Sequence, residues 1–150
     1  MDLTLLALLL ITGFVGCAEF ASVALVHPVI RKLPLEGQMR MEQGLLRTYG
    51  VVMPLLMTAA PIISGIAVSR WGGAWFITST VVLTIALIVT ILGNVPINLW
   101  TLQLPSTQVP PQFRHRRRLW DVYQATRGSL QLIGFVLTAA GTARLLGSLT

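Results

Sequence analysis

Apolar residues gather in four runs along this chain, and polar residues collect between them. A helix needs about 20 mostly apolar residues, at about 1.5 Å each, to cross the hydrocarbon core of a bilayer. Residues 3–26 meet that length with Glu19 as their single charge, and residues 49–68 and 75–97 carry none. The fourth run is less regular. Gly128 to Ala143 is uncharged but short, whereas residues 120–146 cover the full thickness with Arg127 and Arg144 towards the two ends. Long arginine stems reach the interface from such positions. The pattern predicts an all-α fold, an integral membrane four-helix bundle that uses residues 1–150 as one domain.

Features within the runs refine this picture. Pro54 and Pro61 should kink the second helix or free carbonyls in it. Gly13, Cys17 and Ala21 are spaced by four, as are Gly65 and Ser69, which favours close helix contacts within one chain or between chains. The segment from Leu99 to Arg118, with Pro105, Pro110 and Pro111, reads as a loop of about 20 residues, long enough to be a lid or a disordered connection.

Composition agrees with the runs. The chain is 54% hydrophobic and 11% charged, against about a quarter charged in soluble domains. Its net charge of +6 could suggest nucleic acid. With no soluble module to carry such recognition, anionic membrane lipid is the better partner. Arg31, Lys32, Arg40, Arg47, Arg114, Arg116, Arg117 and Arg118 fall in the first and third loops, and only Arg70 and Arg144 lie on the other side. The positive-inside rule then puts loops one and three in the cytoplasm and both termini outside. The expected location is a bacterial inner or plasma membrane. A single cysteine, Cys17, excludes an intrachain disulfide.

If the spans are antiparallel, the intramembrane polar residues meet near one face. Glu19 is late in the first run, Asn94 and Asn98 close the third, and the fourth opens with Trp120, Gln124, Arg127 and Gln131 on one helical stripe, flanked by Tyr123. Charge inside lipid is costly and marks function or pairing. Arg127 stays charged and needs a partner or a wet pocket; by depth Glu19 is that partner. A structural Glu19–Arg127 pair and a substrate-binding role stand about even on these grounds. His27, Glu19 and Glu42 compose an N/O set that would suit iron, copper or zinc, although no compact ligand spacing joins them. A solvated interfacial histidine is the plainer reading of His27.

On His27-Pro28, on Thr90 with Asn94-Val95-Pro96-Ile97-Asn98, and on Trp120 with Arg127, the chain resembles the anthrone-oxygenase-like family of small four-helix integral membrane proteins. The resemblance covers nearly the whole chain. It implies oxidation of a lipophilic phenolic or polycyclic aromatic compound by molecular oxygen. In that reaction Glu19 or His27 would be the general base and Arg127, Asn94 and Asn98 would stabilise the developing oxyanion. Trp120 and Tyr123 would form aromatic walls, with Gln124 and Gln131 completing the substrate site. Such chemistry proceeds in some cases without a metal; a metal or haem is the alternative cofactor. Two other classes compete: a non-enzymatic subunit or interaction partner of a membrane complex, alone or as a homo-oligomer, and a transporter of a small hydrophobic molecule.

Overall fold

The computed structural model describes residues 2–105 and 108–148. Four helical rods run through them: α1 (Leu3–Ile30), α2 (Leu35–Trp71), α3 (Ala74–Leu102) and α4 (Phe113–Gly147). Each is long and apolar enough to cross a membrane, and the chain is an all-α bundle. Asp2 starts α1 by accepting a hydrogen bond from the Thr4 backbone N–H (2.8 Å). That bond holds the Asp2 carboxyl below its usual range.

All four rods outrun the hydropathy pattern at the same end. The α2 helix begins at Leu35 rather than near Tyr49, and α4 at Phe113 rather than Trp120. The expected 20-residue third loop therefore shrinks to residues 103–112. Hydropathy ends where lipid would end, but the backbone hydrogen-bond ladder continues into charged sequence. Gln43 secures the end of α3, its Nε2 donating to the carbonyls of Thr101 (3.1 Å) and Leu104 (2.9 Å). At the opposite end, α2 and α3 are joined by Gly72 and Gly73 alone. Their φ values of 65° and 87° are left-handed, so glycine is needed at both.

Two prolines leave a mark that the sequence pattern did not specify. Pro28 and Pro96 lack an N–H and would crowd the carbonyl four residues back. Just upstream of each the helix widens into a π turn, Ser22–Val26 in α1 and Thr90–Asn94 in α3. The N–H of His27 reaches Ser22 O, and that of Val95 reaches Thr90 O. Pro54 and Pro61 instead sit inside the continuous α2 helix.

Packing relies on glycine and hydroxyls as much as on apolar bulk. A methyl group on Gly16 would lie 2.9 Å from the Gln131 carbonyl oxygen, and one on Gly128 would lie 3.2 Å from the Glu19 carbonyl oxygen. Thus α1 and α4 touch backbone to backbone, which small residues permit. Of the stripe read from sequence, Gly13 does face Phe135, but Cys17 is exposed and Gly65 faces open space. Ser79 Oγ donates to Gly134 O (2.9 Å) and lies 2.8 Å from Thr138 Oγ1, which joins α3 to α4. Leu5, Leu8, Ala67 and Phe76 fill the far end, and Val15, Met53 and Met57 fill the middle. The outer surface carries exposed Leu10, Leu55, Leu92 and Val122, as a lipid-facing surface does.

Candidate functional site

Two buried polar clusters lie side by side towards the end where α1 meets α2. The first joins α1 to α4. Arg127 Nη2 is 2.9 Å from Glu19 Oε2, and Arg127 Nε donates to Gln124 Oε1 (2.7 Å). Gln124 Nε2 in turn donates to Glu19 Oε2 (2.6 Å). The three side chains form a closed triangle, with Glu19 fully buried and Arg127 nearly so. A buried ion pair recovers its desolvation cost only when its remaining groups are also bonded. Here Gln124 bonds both partners, but Glu19 Oε1 is buried with no hydrogen-bond partner among the described residues. The last Arg127 donor, Nη1, is 3.4 Å from Met57 Sδ, a weak acceptor.

The second cluster draws on all four rods. His27 Nδ1 lies 3.3 Å from Glu42 Oε1, and the Arg117 guanidinium pairs with the same carboxylate oxygen. The His27 ring packs on Trp120 with centroids 4.6 Å apart and planes tilted by 54°. Trp120 Nε1 donates to Asn98 Oδ1 (2.6 Å), and the Arg117 guanidinium stands 4.0 Å from the indole centroid. The π turn of α1 carries His27 into this position.

Between the clusters is a cavity of about 170 Å³. His27, Glu42, Asn98, Trp120, Gln124 and Arg127 supply polar wall, and Val26, Leu46, Met53, Leu99 and Leu102 supply apolar wall. It reaches the outer surface between α2 and α3, where Gly50, Leu99 and Leu102 are exposed. Pro54, also in the wall, offers the Gly50 carbonyl no N–H.

Of the residues singled out in sequence, the cavity brings together His27, Asn98, Trp120, Gln124 and Arg127, with Glu19 directly behind Arg127. Asn94, Tyr123 and Gln131 do not line it. The Tyr123 ring covers Gly93, so close that a methyl group there would overlap it at 2.5 Å. Gln131 is one turn deeper on α4 than Arg127. Asn94 and Gln131 are fully buried, and neither side chain has a hydrogen-bond partner among the described residues.

The N/O set His27, Glu19 and Glu42 is divided. Glu19 belongs to the Arg127 triangle, and His27 and Glu42 belong to the Trp120 cluster. Among the described residues no three His, Cys, Asp or Glu side chains gather. Nor does the cavity suit a haem, being smaller than the roughly 300 Å³ at which cofactor pockets begin.

Arg117 escaped sequence reasoning because it stands in a run of basic residues, Arg114 to Arg118, that reads as a surface anchor. Only Arg117 of these is buried, at 7% exposure. The signal was present: Arg117 is three residues before Trp120 and so continues the Trp120–Gln124–Arg127 stripe. Glu42 entered only as a weak ligand candidate, yet its carboxylate pairs with both His27 and Arg117. No family model, characterised protein or solved structure matches this chain.

Proposed function

We propose that this protein is a membrane-embedded oxidoreductase that oxidises a lipophilic, oxygen-bearing aromatic compound with molecular oxygen. One observation carries the reading: a cavity that reaches the outer surface between α2 and α3 has both an imidazole, His27, and a guanidinium, Arg127, in its wall. A base and a fixed cation on one substrate are what formation of a stabilised carbanion or phenolate requires. Glu19 is fully buried and outside the cavity wall, with its Oε2 held by Gln124 and Arg127, so the base assigned here is His27, with Glu19 as counter-ion to Arg127.

In this scheme a neutral substrate moves from the bilayer between α2 and α3. The ring rests against Trp120. Its oxygen replaces the Met57 sulfur on Arg127 Nη1, because oxygen is the stronger acceptor. His27 removes a proton from the activated carbon, and the carbanion so formed, delocalised onto the oxygen held by Arg127, adds molecular oxygen. The hydroperoxide that results loses water, so the overall change is CH2 + O2 → C=O + H2O, with the substrate supplying all four electrons.

Size and charge narrow the substrate. A dry cavity of about 150 Å³ holds a benzene ring, so the resting cavity of about 170 Å³ accepts one ring. Further rings of a polycyclic compound would lie in the opening between α2 and α3. The charged wall residues Arg127 and Glu42 are paired from behind by Glu19 and Arg117, which leaves neither unmatched for a permanently charged ligand.

Purified protein supplied with anthrone should consume oxygen and release the corresponding quinone. His27→Ala should lower turnover on the order of 10²-fold or more, and Arg127→Lys by on the order of 10²-fold, with helicity retained in both. Full activity in both variants would end this assignment. A second reading, a subunit of a membrane complex, draws on Gly65, which faces open space on α2. It predicts a stoichiometric partner on purification in mild detergent.

A further inference from the structure

We propose that Glu42 and Arg117 are positioning residues for His27, which hold the imidazole with its proton on Nδ1 and leave the Nε2 lone pair free for the cavity. The proposal rests on the role given to His27 above and deepens it.

The argument starts from burial. Arg114, His115, Arg116 and Arg118 are exposed, and a basic surface run needs nothing more. Arg117 alone turns inwards, and it contacts both of the groups that hold His27. It pairs with the carboxylate that faces Nδ1, and its guanidinium lies 4.0 Å from the centre of the indole that packs on the imidazole. Arg117 cannot lose its proton in a protein, so it keeps Glu42 in the form that only accepts hydrogen bonds. The charge of a carboxylate 3.3 Å from Nδ1 favours the tautomer that carries its proton there. In a neutral imidazole the other nitrogen is then the acceptor. Asn98 completes the support, since its Oδ1 fixes the indole at 2.6 Å. A plain anchoring role for the Glu42–Arg117 pair would tie α2 to α4 but would be indifferent to which imidazole nitrogen is protonated.

That difference provides the test. The chain has two histidines, and His115 is exposed, so His115→Gln leaves His27 as the only imidazole signal. The 15N spectrum of histidine-labelled protein, taken at about pH 8.5 where an ordinary imidazole is neutral, should show Nδ1 protonated and Nε2 bare. Glu42→Leu should move the proton to Nε2. With anthrone as substrate, it should cut kcat more than tenfold while KM stays within threefold. Arg117→Lys should preserve the tautomer, and Arg117→Met should mix the two forms. If Glu42→Leu does not fold, the parent spectrum and the two Arg117 variants decide the matter. A proton on Nε2 in the parent protein, or a Glu42→Leu spectrum identical to the parent's, overturns the proposal. The spectrum needs no substrate. A correct tautomer in a protein that consumes no oxygen would therefore sink the oxidase reading and leave the positioning role standing.

Discussion

At the scale of single residues, the Glu19–Gln124–Arg127 triangle is the most demanding arrangement in the molecule. Removing one member of a buried ion pair strands the other charge, at a cost of about 3–5 kcal/mol. Glu19→Leu and Arg127→Leu should each show a loss of that order in reversible unfolding, while the double variant should recover most of it. Additive losses would mean that the two charges do not share an environment. The pairing was legible in sequence, because antiparallel spans put late α1 and early α4 at one depth. The hand of Gln124 was not, since nothing in its position says that it bonds both charges. Asn94 and Gln131 shared the right helical faces but not the cavity, because a helical stripe fixes direction and not how far a cavity extends along it.

At the scale of elements, the α1–α4 contact is set by glycine. Gly16→Leu should push α1 off the Gln131 carbonyl and destabilise the bundle by several kcal/mol, as overpacking at backbone contact does. Gly65→Leu, with nothing within 4 Å, should leave stability in detergent unchanged. Thermal denaturation followed by circular dichroism compares the two. Four apolar runs announced four helices, and that part of the fold could be read directly. Their true ends could not. Residues 35–48 and 113–119 are rich in charge, so no hydropathy signal separates a helix that leaves the membrane from a loop. The π turns were equally hidden. Both stand before prolines, but Pro54 and Pro61 show that a proline alone does not dictate one.

For the whole molecule, the surplus of arginine at the cavity end predicts its side of the membrane. With Cys17→Ala as background, a cysteine at Gln108 should react with a membrane-impermeant maleimide only after cells are opened. A cysteine at Ser148, exposed at the opposite end, should react in intact cells. The reverse pattern would invert the assignment.

The two-glycine link between α2 and α3 has a mechanical consequence for the substrate. It would be the pivot of a pair of tongs whose tips, near Gly50 and Leu99, frame the mouth of the cavity and are latched by the Gln43 bonds to the Thr101 and Leu104 carbonyls. The arm from Gly73 to Leu99 is roughly 40 Å long at about 1.5 Å per residue. A swing of about 5° at the pivot would therefore spread the tips by about 3.5 Å over that length, close to the thickness of an aromatic ring. With the Gln43 bonds released, leverage of this kind would let a tight resting slot admit a flat guest without unpacking the α1–α4 seam.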